Sequence, residues 1–274
     1  MKKKAVGALI QRTVLRALAV TLLYSGSVQA GLLELFEANV DSAGELQPTV
    51  DAFRAALGER NANDPVNGDP GGRREIDFEN VPDHVADPNS LPGDFFNAAA
   101  PGFAAGLEFR GVLPGTGFEV SASAASSEPI EFGFPAGFTP FSGERLFTPT
   151  GETIFDILFF DPARPEVPAL TRGLGIVFTD VEDDRATLSF FDRFDNLLFE
   201  DTIASGANAS LSFFGAIFTD FEIARVRVNA GIVGVDSIVM DDFIFGEPVA
   251  AVSLPAPLAL LSLGLLGLMR RAKN

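Results

Sequence analysis

The stretch Ala224-Arg225-Val226-Arg227-Val228 gives the clearest indication of the fold. Apolar residues alternate with arginines, so an extended chain places valine on one face and arginine on the other. A period of two residues is typical of a β-strand that has one face in a core and the other in water. We therefore predict a strand here, with an apolar face and a cationic face.

Short segments rich in Phe, Ile and Val recur on both sides of this stretch, and clusters of Gly, Pro and Asp separate them. The predicted strands are 75–78, 107–112, 117–121, 130–134, 153–160, 175–179, 186–191, 196–203, 211–218, 223–229 and 237–245. No helical periodicity lies between them, which favours an all-β fold, an antiparallel two-sheet sandwich or jelly roll. The 27 phenylalanines are expected to fill the space between the sheets.

Two of these strands share a sequence pattern. Residues 175–182 (GIVFTDVE) and 215–222 (GAIFTDFE) are nearly identical, but the sequences that follow them do not match. We interpret the pair as two strands in similar environments, each ending in a Thr-Asp turn, and not as tandem repeats.

The segment before residue 73 has a different sequence pattern. Thr49 is a candidate helix cap, Val50, Phe53 and Leu57 share one helical face, and Gly58 is a stop signal. Residues 61–72 (NANDPVNGDPGG) are typical of a loop or linker. We predict one short helix that docks on the sandwich, because a helix of this length is marginal alone.

Both ends of the chain carry apolar segments. A basic start, a short apolar run and a small-residue exit predict a signal peptide over residues 1–30. Val249–Met269 is an uncharged, mostly apolar run that is followed by cations, which predicts a membrane anchor. The expected organisation is therefore a signal peptide (1–30), a helical segment and linker (31–72), a β-sandwich (73–247) and a C-terminal anchor (248–274).

The C-terminal segment resembles a known sorting signal. A short Pro-containing motif, an apolar run and a basic end follow one another, as in the PEP-CTERM sorting tail of bacteria and its VPLPA-type variant. The matching residues are Ser253, Leu254, Pro255, Ala256, Pro257, Arg270 and Arg271. The resemblance implies recognition by an exosortase-type membrane protease, anchoring in the inner membrane during sorting, and then delivery to the cell surface or the exopolysaccharide matrix.

Composition narrows the possible functions. The net charge of −17 disfavours binding to nucleic acid through a basic surface. The absence of cysteine excludes disulfides and thiolate metal sites, and the single histidine, His84, lies in a polar loop between prolines. No nucleophile–base motif stands out, so we expect a protein that is not an enzyme.

The middle of the chain resembles, more loosely, a group of secreted bacterial proteins of unknown function. The matching strings are residues 73–78, 175–180, 188–192, 223–228 and 239–246. The resemblance implies a jelly roll similar in outline to galactose-binding-like and carbohydrate-binding modules. In such modules, acids on the first and last strands often surround a structural calcium.

Two acid pairs fit that expectation. Asp77 and Glu79 occupy alternate positions of the first predicted strand, and Asp241 and Asp242 lie in the last. If these strands pair, their carboxylates converge, and Ca²⁺ prefers six to eight oxygen ligands. The alternative is that these are solvated carboxylates at the rim of the sandwich.

These features favour an exported, non-catalytic β-sandwich that associates with extracellular polysaccharide or other envelope components. One alternative is a secreted glycan-processing enzyme, since that chemistry needs only two suitably separated carboxyl groups. A second alternative is an ice-binding adhesin, although the sequence lacks a regular ladder of threonines.

Overall fold

The computed structural model describes residues 31–182, 184–231 and 239–251. Two antiparallel seven-stranded sheets form a sandwich, which confirms the predicted fold class. The predicted signal peptide and most of the predicted membrane anchor lie outside the described residues. Within the three described ranges, no helix has the length and apolar character that crossing a membrane requires.

The first sheet has the strand order β1-β11-β8-β13-β5-β4, and β2 pairs with β13. Its strands are β1 (Leu32–Val40), β2 (Arg73–Ile76), β4 (Gly117–Val120), β5 (Phe147–Thr150), β8 (Gly173–Thr179), β11 (Leu211–Phe218) and β13 (Val239–Gly246).

The second sheet has the order β10-β9-β12-β6-β7-β14, and β3 pairs with β6. Its strands are β3 (Leu107–Gly111), β6 (Ile154–Asp161), β7 (Arg164–Leu170), β9 (Thr187–Phe191), β10 (Leu197–Thr202), β12 (Arg225–Asn229) and β14 (Val249–Ala250). Short 3₁₀ turns at Asp83–Val85 and Glu131–Gly133 lie in the connections, so the strand predicted at 130–134 is wrong: Glu131 and Phe132 have positive φ angles, which an extended strand does not allow.

Phenylalanine fills the space between the sheets, as the sequence predicts. The ring of Phe147 lies 4.4 Å from that of Phe109 and 5.6 Å from that of Phe243, measured between centroids. Phe155 packs edge-on against the same group. Each ring buries a large apolar surface without a polar atom that needs a partner. Phe134 and Phe194 are exceptions, since both are exposed.

Among the described residues there is a single α-helix, α1 (Ala43–Leu57), which covers the outer face of the first sheet. Phe53 and Leu57 of its buried face pack on β8 and β11, which confirms the predicted docking. The predicted stop at Gly58 is also confirmed: its φ is 95° and its N–H donates to carbonyls of the last turn.

The predicted start of the helix is wrong. The helix begins after Ser42 and not after Thr49, and it keeps Pro48 inside. The Ser42 carbonyl accepts the N–H groups of Glu45 and Leu46, and the Ser42 hydroxyl donates to the Glu45 carboxylate. These contacts fix the first turn upstream of the proline.

Strand β1 was not predicted at all. It pairs with β11, so the sandwich begins at residue 32 and includes part of the segment assigned to a helix and linker. The pairing register shifts between Leu32 and Glu34. An irregularity of this kind breaks the alternation by which a strand is recognised.

The loop over residues 61–72 closes over a buried ion pair. Arg74 and Glu247 are almost completely buried, and Arg74 Nε donates to Glu247 Oε2 over 2.7 Å. The N–H of Gly68 and the side-chain amide of Asn61 also donate to Glu247. The predicted loop is therefore attached to the last strand of the first sheet, where the carboxylate has several donors.

Candidate functional site

The outer face of the second sheet carries alternating side chains. In β12, Val226 and Val228 are buried while Arg225 and Arg227 point outward, as the sequence predicts. In β6, Asp156, Leu158 and Phe160 share the outer face, and the intervening residues enter the core. The period of two therefore presents a mixed charged and apolar surface on the central strands.

Strand register aligns polar residues of five strands in one row. Neighbours in this row are Arg110, Asp156, Arg227, Ser189 and Glu200. Asp156 accepts hydrogen bonds from Arg227 Nε over 2.8 Å and Nη2 over 3.0 Å. Ser189 donates to Glu200 over 2.6 Å. These cross-strand contacts hold the polar groups in defined positions.

The next row is more apolar and consists of Glu108, Leu158, Arg225, Phe191 and Leu197. The guanidinium carbon of Arg225 lies 3.8 Å from the centroid of the Phe191 ring. The same guanidinium binds the carboxylate of Asp156 over 3.1 Å. Stacking and ion pairing together fix the orientation of Arg225.

A cleft of about 310 Å³ opens beside these rows. Apolar side chains of β6 and β7 form part of its lining: Leu158, Phe160, Pro168 and Leu170. Charged side chains form another part: Arg110, Asp192, Arg193, Asp195 and Arg225. We call this cleft the sheet groove. Its volume and its combination of apolar and polar groups are those of a small-molecule or single-sugar site.

The turn between β9 and β10 supplies one wall of the sheet groove. Asp192 accepts hydrogen bonds from the N–H of Phe194, the N–H of Asn196 and the side-chain amide of Asn196. Partial burial alone raises the pKa of Asp192, but these bonds and the nearby Arg193 outweigh it and lower that pKa. Asp195 has a φ of 66° and binds Arg225, so both aspartates are already occupied.

The predicted metal-ligand residues Asp77 and Glu79 do not lie on a strand. Strand β2 ends at Ile76, because Phe78 adopts a φ of 61° and places its ring in the core. Asp77 Oδ1 accepts the Glu79 N–H over 3.3 Å. Glu79 Oε1 accepts the N–H groups of Glu144 and Arg145 over 2.8 and 2.7 Å. The expectation that both acids point to one face of a strand is therefore wrong.

The other predicted pair lies at a β-bulge. Met240 is opposite Phe178 and Phe243 is opposite Ile176, so Asp241 and Asp242 both face one residue of β8. Asp241 Oδ2 accepts the N–H groups of Phe141 and Ser142 over 2.6 and 3.0 Å. The Ser142 hydroxyl is within hydrogen-bonding distance of both carboxylates.

An arginine of α1 balances this buried charge. Arg54 Nη2 lies 2.9 Å from Asp242 Oδ2 and 3.2 Å from Glu75 Oε2. The carboxylate from β2 that approaches the last strand is therefore Glu75, and not Asp77 or Glu79. A guanidinium therefore stands between Glu75 and Asp242, whereas the calcium hypothesis placed a cation among Asp77, Glu79, Asp241 and Asp242.

The four predicted ligands do not converge on one point. Glu79 and the aspartate pair bind the same loop, residues 141–145, but through different N–H groups. In the described part of the chain, no three acidic or histidine side chains form a group that could hold a metal ion. The arrangement does not fit the proposed calcium ligands, and calcium binding by the protein stays an untested prediction.

Burial of the aspartate pair alters its protonation. Burial, together with the charge of Asp242, raises the pKa of Asp241 well above its usual range. Burial also raises the pKa of Asp242, although Ser142 and Arg54 act in the opposite direction. Two adjacent carboxyl groups in a buried site favour sharing one proton.

Several important residues were not predicted as site residues. The alternation of valine and arginine in β12 indicated that Arg225 and Arg227 face outward, but it did not predict that they lie close to Asp156 or Arg193. The outward alternation of Asp156, Leu158 and Phe160 in β6 was the available signal. Nothing in the sequence indicates that Arg54 reaches Asp242, 188 residues away.

Comparison with known proteins finds neither a matching protein-family model nor a matching curated protein. Among solved structures, the chain is similar to the enzymatically active domain of tailspike protein 4 of bacteriophage CBA120, with 9% identity and a TM-score of 0.25. That likeness covers 57% of this chain and only 20% of the tailspike chain. A xylan-binding domain from CBM 22 is 16% identical with a TM-score of 0.25, over 54% of this chain and 87% of the other.

Proposed function

We propose that the protein is an exported, non-catalytic β-sandwich that binds glycan in the sheet groove. The observation that carries the proposal is the lining of that groove, where apolar side chains adjoin oriented arginines and aspartates. A sugar ring has an apolar face and a periphery of hydroxyl groups. Apolar contact and planar hydrogen-bonding groups are therefore the two features that a glycan site requires.

The orientation of the polar groups supports this function. Arg225 is held by Phe191, Asp156 and Asp195, and Asp192 is held by three hydrogen bonds within its own turn. Side chains fixed before the ligand arrives lose little conformational entropy on binding.

The chain termini support the exported location. The basic, apolar and small-residue segments of residues 1–30 predict export, and the tail resembles a PEP-CTERM signal. We propose that an exosortase-type protease recognises this tail and that the protein then reaches the cell surface or the exopolysaccharide matrix. That location places the sheet groove next to polysaccharide.

The acidic residues that line the sheet groove favour binding over hydrolysis. Glu222, whose pKa is raised by burial and by the charges of Asp220 and Asp192, is not part of that lining. A glycosidase needs a carboxyl group with a raised pKa and a second carboxylate, both of which face the substrate. In the sheet groove, the pKa of Asp192 is lowered and Asp195 is ion-paired. Asp241 and Asp242 have raised pKa values, but they are buried under α1 and the loop at 141–145.

The experiment is affinity electrophoresis of the full chain in detergent, through gels that contain acidic or neutral polysaccharides. We expect retardation by at least one of them, and loss of retardation in L158E, which places a charge in the groove. T202E is the matched control, because Thr202 is exposed at the end of β10 and lies outside the groove lining. Unretarded migration in every gel, or equal retardation of both variants, would contradict the proposal.

The same polysaccharides, recovered after prolonged incubation, test the absence of catalysis. We expect their chain lengths to be unchanged when they are measured by size-exclusion chromatography. Shortened chains would establish the alternative, a glycan-processing enzyme.

A further inference from the structure

Arginines are concentrated in the sheet groove of an acidic protein. The lining includes three arginines, Arg110, Arg193 and Arg225, and two aspartates, Asp192 and Asp195. The chain as a whole has a net charge of −17. The groove therefore brings three guanidinium groups close together on a protein that otherwise repels anions.

The two aspartates do not neutralise all three arginines. Asp192 is occupied by hydrogen bonds within its turn, and Asp195 binds Arg225. Arg193 is exposed, and its guanidinium carbon lies 4.9 Å from the centroid of the Phe194 ring. Across the ranges that the structure describes, Arg193 makes no ion pair. Its guanidinium is therefore available to a ligand.

Arg110 is a second accessible cation. Its side chain is 61% exposed and pairs with Glu108 of the same strand over 3.2 Å. The pair contributes little stability, since water competes for the exposed guanidinium. A ligand carboxylate can therefore exchange with Glu108 at little cost.

We infer that the sheet groove binds an acidic polysaccharide, one whose sugars carry carboxylates, with Arg193 as the principal anion-binding residue and Arg110 as the second. This inference rests on the proposed function. A guanidinium binds a carboxylate through two parallel hydrogen bonds, which fixes the sugar relative to the groove. The apolar lining from Leu158 and Phe160 then contacts the ring. A neutral glycan offers no charge to the exposed guanidinium of Arg193.

The experiment compares oligomers of galacturonan and of alginate with their methyl esters, which keep the sugar rings but remove the charge. Binding to the full chain in detergent is measured by titration calorimetry. We expect at least one acidic oligomer to bind about tenfold or more tightly than its ester, because only the acid can form a charge-assisted hydrogen bond with a guanidinium. We also expect that preference to weaken as salt is added.

Three variants locate the effect. R193A is expected to weaken binding of the acidic oligomer about tenfold while leaving binding of the ester unchanged. R110A is expected to have a smaller effect of the same kind. R60A is the matched control, because Arg60 is also an exposed arginine but lies outside the groove lining, beside β2.

Each outcome decides between the two claims. Equal binding of acid and ester overturns this inference and leaves glycan binding intact. Equal weakening by R193A and R60A also overturns it, since the effect is then one of overall charge. If no oligomer binds, acidic or esterified, the inference fails, and the proposed function is then decided by the retardation measured in the gels that contain neutral polysaccharides.

Discussion

Gly175 and Gly215 lie directly opposite each other on β8 and β11, and the ring of Phe53 from α1 lies over both. A Cβ atom on Gly175 would come within 2.7 Å of that ring, and one on Gly215 within 2.8 Å. The paired glycines thus form the flat site on which the helix docks. This explains why the two strands begin their similar sequences with glycine, and it confirms that they occupy similar environments.

Adding a methyl group at either glycine should loosen this contact. We expect G175A and G215A each to lower the free energy of unfolding by about 1–3 kcal/mol, because the added atom overlaps packed rings. Gly44 is the control: nothing lies within 4 Å of its Cβ position in α1, so G44A should raise stability by about 0.5–1 kcal/mol. Denaturant unfolding measures all three.

A smaller residue at position 53 tests whether overlap with the Phe53 ring causes these losses of stability. We expect F53L to be destabilising alone but to reduce the further loss caused by G175A, because the two changes share one contact. Strictly additive losses would show that the glycines matter for another reason.

The buried Asp241–Asp242 pair should make stability depend on pH. A carboxyl group whose pKa is higher in the folded than in the unfolded protein contributes stability at low pH and loses it as pH rises through the folded value. Since the pKa of Asp241 is raised by burial and by Asp242, the unfolding free energy should fall as the pH rises above about 4, the ordinary pKa of an aspartate.

Two variants separate the members of this pair. D241N keeps an acceptor for the N–H groups of Phe141 and Ser142 and removes the ionisation, so it should flatten the pH profile. D242N removes one of the carboxylates that bind Arg54, the buried one 2.9 Å away, and should destabilise the protein at neutral pH. Thermal unfolding across this pH range measures both, and an unchanged slope in D241N would contradict the assignment.

The ion pair between Arg74 and Glu247 should be among the most sensitive contacts. Because both side chains are almost fully buried, R74M leaves an unpaired carboxylate and should cost about 3–5 kcal/mol. R110M breaks an exposed pair with Glu108 and should cost less than about 1 kcal/mol. Similar losses in the two variants, measured by denaturant unfolding, would show that burial of the pair is not the cause.

The sequence predicted those strands of the sandwich whose residue pattern directly reflects which of their faces are buried. Val226 and Val228 alternate with arginines because one face of β12 is buried. Strands β8 and β11 are buried throughout and mostly apolar because both of their faces are covered. Strand β7 was not predicted, because Pro165 and Pro168 are unfavourable inside a strand. The structure accommodates them because β7 pairs only with the short strand β14 and with the last residues of β6.

The sites were harder to predict because they depend on register and on distant contacts. The bulge that turns both Asp241 and Asp242 toward Ser142 leaves no mark in the sequence. The partner of Asp242 lies on a helix that only folding brings near. Acidic pairs on the first and last strands therefore suggested a metal, whereas Arg54 supplies the compensating charge.

The sorting hypothesis makes two predictions: the apolar tail retains the protein in the membrane, and the protease recognises the proline motif independently of that anchoring. Removing residues 252–274 leaves β14 intact and should release folded protein from the membrane fraction, because the apolar run and terminal cations are lost. The double variant P255A/P257A keeps the apolar run and should therefore stay bound to the membrane. It should also stay uncleaved, because the protease no longer recognises the altered motif. Fractionation and the mass of the retained chain measure both effects. If the full chain and the truncated chain distribute identically, the tail is neither an anchor nor a sorting signal.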